Sequence, residues 1–312
     1  MERKKVKPAI FIGLFIILLA GCVTVKVSLF EEPEPLKEKV VSGAGRDKIL
    51  LLDISGVVFE GRGILWKLMG TTGPSRVKEE LDKAARDKRI KALVLRINSP
   101  GGTVSASDMV YHELLAFKEK QQVPVVACLM GVATSGGYYL AQAADEVVAH
   151  STTITGSIGV LAMKLNLKGL MEKVGVEGEF VKSGKWKDFW SPFRPATPAE
   201  KEFMQVIIDD FYRGFVDVVT RNRKLPPAEI KRLADGRIFT GVQAKELGLV
   251  DRLGYLEDAL TLAREKAGLE EARVVMYHRP GSYRPNIYSM TPEMDLALGP
   301  QFLYLWWPGE TF

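Results

Sequence analysis

In the segment Gly131-Val132-Ala133-Thr134-Ser135-Gly136-Gly137-Tyr138-Tyr139, one serine stands where an apolar strand runs into a tight turn and then a helix. A hydroxyl at that junction projects from the helix N-terminus. The Gly136 amide has no intrahelical acceptor there and can face an oxyanion. Glycines after the serine let the backbone approach a substrate carbonyl closely. The same pattern also suits a serine that merely caps a helix after a turn, and both readings stay open at this point. Ala133-Thr134-Ser135-Gly136-Gly137 partly matches the G-x-S-x-G hydrolase turn, with Ala in place of the first Gly.

A serine nucleophile needs a base. The chain has three histidines. His112 falls within a helical segment, His150 ends a strand, and His278 precedes the C-terminal tail. All three read as surface or structural residues, and His150 follows Ser135 too soon for the usual Ser…Asp…His order. Lysine is the other neutral base. Lys185 and Lys187 flank Trp186 in Ser183-Gly184-Lys185-Trp186-Lys187-Asp188. A lysine serves as base near neutral pH only if its pKa drops by roughly 3 units from about 10.4, a cost of about 4 kcal/mol. Burial beside apolar rings supplies that kind of shift, and Trp186, Phe189 and Trp190 are suitable walls. Two solvated lysines on a loop are the plain alternative.

Other chemistries find no footing. Ser75-Arg76-Val77-Lys78 fits S-x-x-K, but it sits among helix-surface charges and no Lys-Thr-Gly follows anywhere. Gly178 to Lys185 imitates a phosphate loop but has the wrong spacing, and Trp186 replaces the required Ser/Thr. No His/Cys/carboxylate cluster has metal-ligand spacing, so neither metal nor cofactor is expected. Cys128 lies in an apolar run and reads as a small buried hydrophobe.

The elements that must position these residues follow from periodicity. Apolar strands are expected at Lys48–Ile54, Ala92–Ile97, Val123–Leu129 and Glu146–Ala149, and helices at Val77–Lys88, 105–120 and Ser135–Ala144. Buried strands alternating with amphipathic helices predict an α/β fold with a largely parallel sheet. A helical C-terminal part follows: Thr197–Lys224, 227–234, 241–247 and 254–267, then a strand at 272–277. At 312 residues, 46% hydrophobic and 26% charged, the chain is long and apolar enough for a substantial core, which excludes a disordered polymer. The +5 formal charge is concentrated in Arg3, Lys4, Lys5 and Lys7, so the body has no basic footprint for nucleic acid.

Residues 1–25 read as an export signal and membrane anchor: a basic start, then an apolar run from Ala9 to Val25 of about 17 residues, the short limit for a span. Lys and Arg before such a run stay cytoplasmic, which places the body outside the cytoplasm. Residues 26–46 are expected to form a linker, 47–278 the main domain, and 279–312 an aromatic and Pro-rich tail whose Tyr304, Trp306 and Trp307 suit a membrane interface.

Four motifs in this order, Asn98-Ser99-Pro100-Gly101-Gly102, Ala133–Tyr139, Ile154-Thr155-Gly156-Ser157-Ile158-Gly159-Val160 and Lys182–Asp188, resemble the signal peptide peptidases of the SppA type, short form, within the Clp protease/crotonase fold group. The resemblance spans about residues 47–275 and implies a fold of repeated β-β-α units. It implies Ser135 as nucleophile and Lys187, rather than Lys185, as general base. It also implies Gly102 and Gly136 as oxyanion donors and Ser157 as the residue that orients the base. Leu19-Ala20-Gly21-Cys22 resembles a bacterial lipobox, which makes Cys22 a lipidation candidate; an uncleaved anchor helix is the alternative. Apolar peptides such as spent signal peptides are the expected substrates, laid by strand addition along Gly156, Ile158, Gly159 and Val160. The family's ring-forming members imply a homo-octamer with active sites shared between subunits. Two rivals are a crotonase-like acyl-CoA enzyme, disfavoured by export, and a non-catalytic peptide-binding scaffold.

Overall fold

A computed structural model of the chain describes residues 35–59 and 71–278. The expected anchor with Cys22 and the tail at 279–312 lie outside the described residues. No helix among the described residues is long and apolar enough to cross a membrane.

Three strands, β2 (Lys48–Ser55), β5 (Ile90–Ser99) and β6 (Val125–Thr134), run parallel through the centre of a nine-stranded sheet. Their sequences are apolar at consecutive positions because both faces are covered. On one face Leu50, Leu52, Leu93, Leu95, Ala127 and Leu129 meet the helices α1 (Pro74–Ala85) and α2 (Val104–Gln121). On the other, Ile49, Leu51, Val94, Val126 and Cys128 meet the apolar stripe of α8 (Leu256–Lys266), made by Leu256, Ala259, Leu260 and Ala263. Cys128 is a buried free thiol whose pKa burial pushes up to about 12, which suits its expected role as a packing residue.

The full strand order is β1-β11-β2-β5-β6-β7-β10, with β1 at Lys37–Ser42, β7 at Glu146–Ala149, β10 at Arg252–Leu253 and β11 at Arg273–His278. Beside β6 lies β8 (Ile154–Gly156), which pairs parallel to β6 and antiparallel to β9 (Ile238–Thr240). A small two-stranded sheet joins β3 (Val57–Val58) to β4 (Thr71–Thr72). Among the described residues, only the β1/β11 and β8/β9 pairs are antiparallel. The fold is therefore α/β with a largely parallel sheet and a helical C-terminal part, in the arrangement the sequence implies. After the short helix α4 (Lys168–Val174), that part comprises α5 (Pro198–Asn222), α6 (Pro227–Leu233), α7 (Gly241–Glu246) and α8.

Three expectations are corrected. The segment expected as linker contains β1, an edge strand with charged, exposed side chains whose Glu38 pairs with Lys48. Charge on an edge blocks further pairing, and it also makes such a strand look like a linker in sequence. β6 continues past Leu129 to Thr134, because its second half pairs with β8. The helix after it, α3, covers only Gly136–Ala141 and leaves Ser135 outside.

Candidate active site

Ser135 occupies the residue between β6 and α3, at φ 51° and ψ −119°. L-residues rarely adopt positive φ, and such strain collects at functional sites. The turn is enforced from both sides: the Ser135 N–H donates to the Gly156 carbonyl at 2.9 Å, and Tyr139 N–H donates to the Ser135 carbonyl at 2.9 Å. The hydroxyl makes no capping bond to α3. A capping serine would turn its oxygen onto the helix. The Ser135 side chain instead borders two adjoining cavities, of about 320 and 750 Å3.

Gly102 comes from the loop after β5. Val58 N–H donates to the Gly101 carbonyl at 2.9 Å and Thr103 N–H to the Val58 carbonyl at 3.0 Å. In extended backbone the residue between them turns its N–H to the opposite side, which is where α3 begins. A side chain on Gly136 would start 3.2 Å from the Gly102 nitrogen, and one on Gly101 only 2.8 Å from the Gly136 nitrogen. Neither the Gly102 nor the Gly136 N–H donates to an acceptor among the described residues. Two amides thus stand close together, unpaired, beside one hydroxyl: the elements of an oxyanion hole.

The surrounding loops are tied by side chains. Ser99 Oγ accepts from Gly101 N–H and donates to the Gly56 carbonyl at 2.6 Å. Asn98 Oδ1 accepts from Val132 N–H at 3.1 Å. Thr134 Oγ donates to the Pro100 carbonyl at 3.1 Å and so joins the two glycine loops directly. Sequence reasoning assigned Thr134 no role; a hydroxyl next to the nucleophile was the available signal. The two tyrosines anchor α3, Tyr138 donating to the Leu249 carbonyl at 2.7 Å and Tyr139 to Asp108 Oδ1 at 2.8 Å.

Ser157 has φ 51° and borders the larger cavity together with Ser135. Gly156 is held between β6 and β9, and Ile158 is buried in the core, where its carbonyl accepts from Gly236 N–H. Gly159 and Val160 line both cavities. Of the expected substrate-binding residues, these two face the space beside Ser135.

Lys187 is exposed, on a turn well outside the two cavity walls. It makes no salt bridge with a described residue. The turn itself is fixed. Asp188 accepts from Lys182 Nζ at 2.5 Å and from Arg194 Nε at 2.9 Å, and Arg194 reaches on to Glu200 at 2.6 Å in the first turn of α5. These bonds hold the Asp188 and Glu200 carboxyls well below the usual range and push the Arg194 guanidinium up. Lys185 lies over the Trp186 ring at 5.7 Å. None of the three histidines borders either cavity: His112 is exposed on α2, His150 packs on Tyr255, and His278 ends β11.

The profile described as "Peptidase family S49" matches residues 117–270, and that of "Clp protease" matches 57–155. The chain is 42% identical to "Putative protease slr0021" of Synechocystis sp., over 73% of this chain and 78% of that one. It is 37% identical to "Putative signal peptide peptidase SppA" of Enterococcus faecium, over 78% and 71%. It is also 34% identical to "Protease 4" of Salmonella typhi, over 73% of this chain but 36% of that longer protein.

Proposed function

Since this chain belongs to peptidase family S49 and is a serine peptidase, we propose that Ser135 is its nucleophile and that Lys187 of a neighbouring copy is the base that activates it. The carrying observation is the uncapped Ser135 hydroxyl at positive φ beside two unpaired amides, with no histidine or lysine among the described residues on the walls of its cavities. Support for a base in trans comes from the surroundings of Lys187. Leu161, Met163, Leu165, Phe180 and Val181, all between Ser157 and the Lys187 turn, are exposed, as are Phe203 and Val206 on α5. Large apolar side chains exposed in such number mark an interaction surface. Packing copies against it would desolvate the Lys187 turn, and desolvation is what keeps a lysine amine uncharged.

In the proposed reaction the neutral amine of Lys187 takes the proton of Ser135 Oγ. Oγ attacks the peptide carbonyl, and the N–H groups of Gly102 and Gly136 stabilise the oxyanion. The lysine then gives its proton to the leaving amine, which departs as the C–N bond breaks. Water attacks the resulting ester and its proton passes to Lys187. Collapse of this second intermediate frees the peptide acid and returns a proton to Ser135. Ser157 hydrogen-bonds the amine and aims its lone pair. The substrate lies extended along Gly159 and Val160.

The proposed setting is a homo-octamer tethered to a bacterial membrane through residues 1–25, with Cys22 lipidated and the body on the extracytoplasmic side. Spent signal peptides and other apolar fragments would be its substrates, the activity printed in the name of the Enterococcus faecium relative. Ser135→Ala and Lys187→Ala should each reduce hydrolysis of an apolar peptide by more than about 10³-fold, while Lys185→Ala stays active. Co-assembling the two inactive variants should restore part of the activity, because some sites then combine an intact serine with an intact lysine from the next copy. Activity retained in Lys187→Ala, or absence of complementation, would overturn the assignment of the base.

A further inference from the structure

The smaller cavity beside Ser135 has a lopsided chemistry. Val104, Phe211 and Phe215 make its walls apolar, and its ionisable residues are Asp108, Asp210 and Tyr139. Among the described residues, no Lys, Arg or His borders it. Asp210 pairs with Arg213 one helical turn on, so its charge is answered. Asp108 has no basic partner among the described residues; its bond is from the Tyr139 hydroxyl at 2.8 Å. Tyr139 is itself clamped edge-on between Tyr111 and Phe215, at 5.0 and 5.2 Å. Burial and the neighbouring carboxylate push its pKa up, so it donates to Asp108 without cancelling the charge. A second, independent feature points into the same space. Ser107 is 4% exposed and lines the cavity, yet its hydroxyl has no hydrogen-bond partner. It lies directly under the oxyanion turn, 2.4 Å from where a Gly136 side chain would start. Buried hydroxyls are normally hydrogen-bonded, and this one meets no protein partner among the described residues.

We propose that this cavity receives the substrate side chain just N-terminal to the scissile bond, and that Asp108, held by Tyr139, selects lysine or arginine there. The inference rests on Ser135 as nucleophile. Lysine and arginine combine an apolar stem with a charged head, which matches apolar walls carrying one oriented carboxylate. Ser107 supplies a further acceptor for the bound side chain. Asp108 is exposed in a single copy, and a charge-assisted bond to its carboxylate is stronger than the neutral counterpart.

The test compares two peptides that differ only at this position, one with lysine and one with norleucine, which keeps the stem and lacks the charge. The assembled full-length enzyme should show kcat/KM at least about tenfold higher for the lysine peptide. In Asp108→Asn that ratio should fall towards one, and Asp108→Glu should recover part of it. Equal cleavage of both peptides by the unsubstituted enzyme, or an equal loss for both in Asp108→Asn, would overturn the proposal. Failure of the base assignment would show differently: Lys187→Ala would stay active with the lysine-to-norleucine ratio intact.

Discussion

At the scale of single residues, the site is built from backbone strain. Ser135 and Ser157 both sit at φ 51° without being glycine, and each such conformation costs on the order of 1–3 kcal/mol. The return is placement: one hydroxyl freed from helix capping and another brought to the same cavity. Gly101 and Gly136 show how little room is left. A methyl at Gly136 would meet the Ser107 hydroxyl at 2.4 Å, and one at Gly101, itself at φ +105°, would meet the Gly136 nitrogen. Gly136→Ala should therefore displace an oxyanion donor and lower kcat by roughly 10²-fold, with a much smaller change in KM. Steady-state kinetics on a soluble peptide checks this; an unchanged kcat would mean that the amide does not face the reacting carbonyl. Ser135 and Gly136 could be singled out in the sequence because glycine turns are local signals, whereas Gly102 entered only through the family resemblance. The strain at Ser157 and the bridging hydroxyl of Thr134 could not be, since both arise from neighbours distant along the chain.

At the scale of elements, the turn that carries Lys187 is held by polar bonds more than by burial. Its neighbour Asp188 is bonded to Lys182 and Arg194, and Arg194 links it to Glu200 and the Thr197 capping box of α5. Arg194→Ala should loosen residues 182–200 while the sheet stays folded, read as faster amide exchange confined to that stretch and a several-fold lower kcat. Acid should mimic it. The bonded Asp188 and Glu200 carboxyls have folded pKa values below their unfolded ones. Their contribution is thus complete above the ordinary carboxylate range and is lost as pH falls through and below it. Exchange in 182–200 that is indifferent to both changes would show that packing alone holds the turn. The helix at Thr197–Lys224 was readable because its apolar residues step by three and four. The edge strand β1 escaped for the opposite reason: its pairing to β11 is backbone chemistry, and its side chains advertise solvent.

At the scale of the whole molecule, one copy holds the serine, the amides and the cavity but presents the proposed base to the outside. In the proposed shared site, the exposed apolar side chains between residues 161 and 206 would form the assembly surface. Val206→Glu, which puts a charge on that surface, should shift sedimentation towards smaller species and abolish peptide hydrolysis together with assembly. A monomer with full activity would exclude the shared site. No reading of a single chain reveals which surface a second copy covers, so the sequence could name Lys187 only through resemblance, while Ser135 also followed from its own turn.

The 25-residue helix α5 spans about 37 Å at the usual rise. Its first turn grips the Arg194 clamp, its middle lends Phe211 and Phe215 to the specificity cavity, and just past its end Arg223 bonds Gln142 and Asp251 under the helix that follows Ser135. One rod therefore spaces the Lys187 turn against Ser135 within a single copy. In a closed ring, that rod length would act as a common gauge, repeated identically from each subunit to the next.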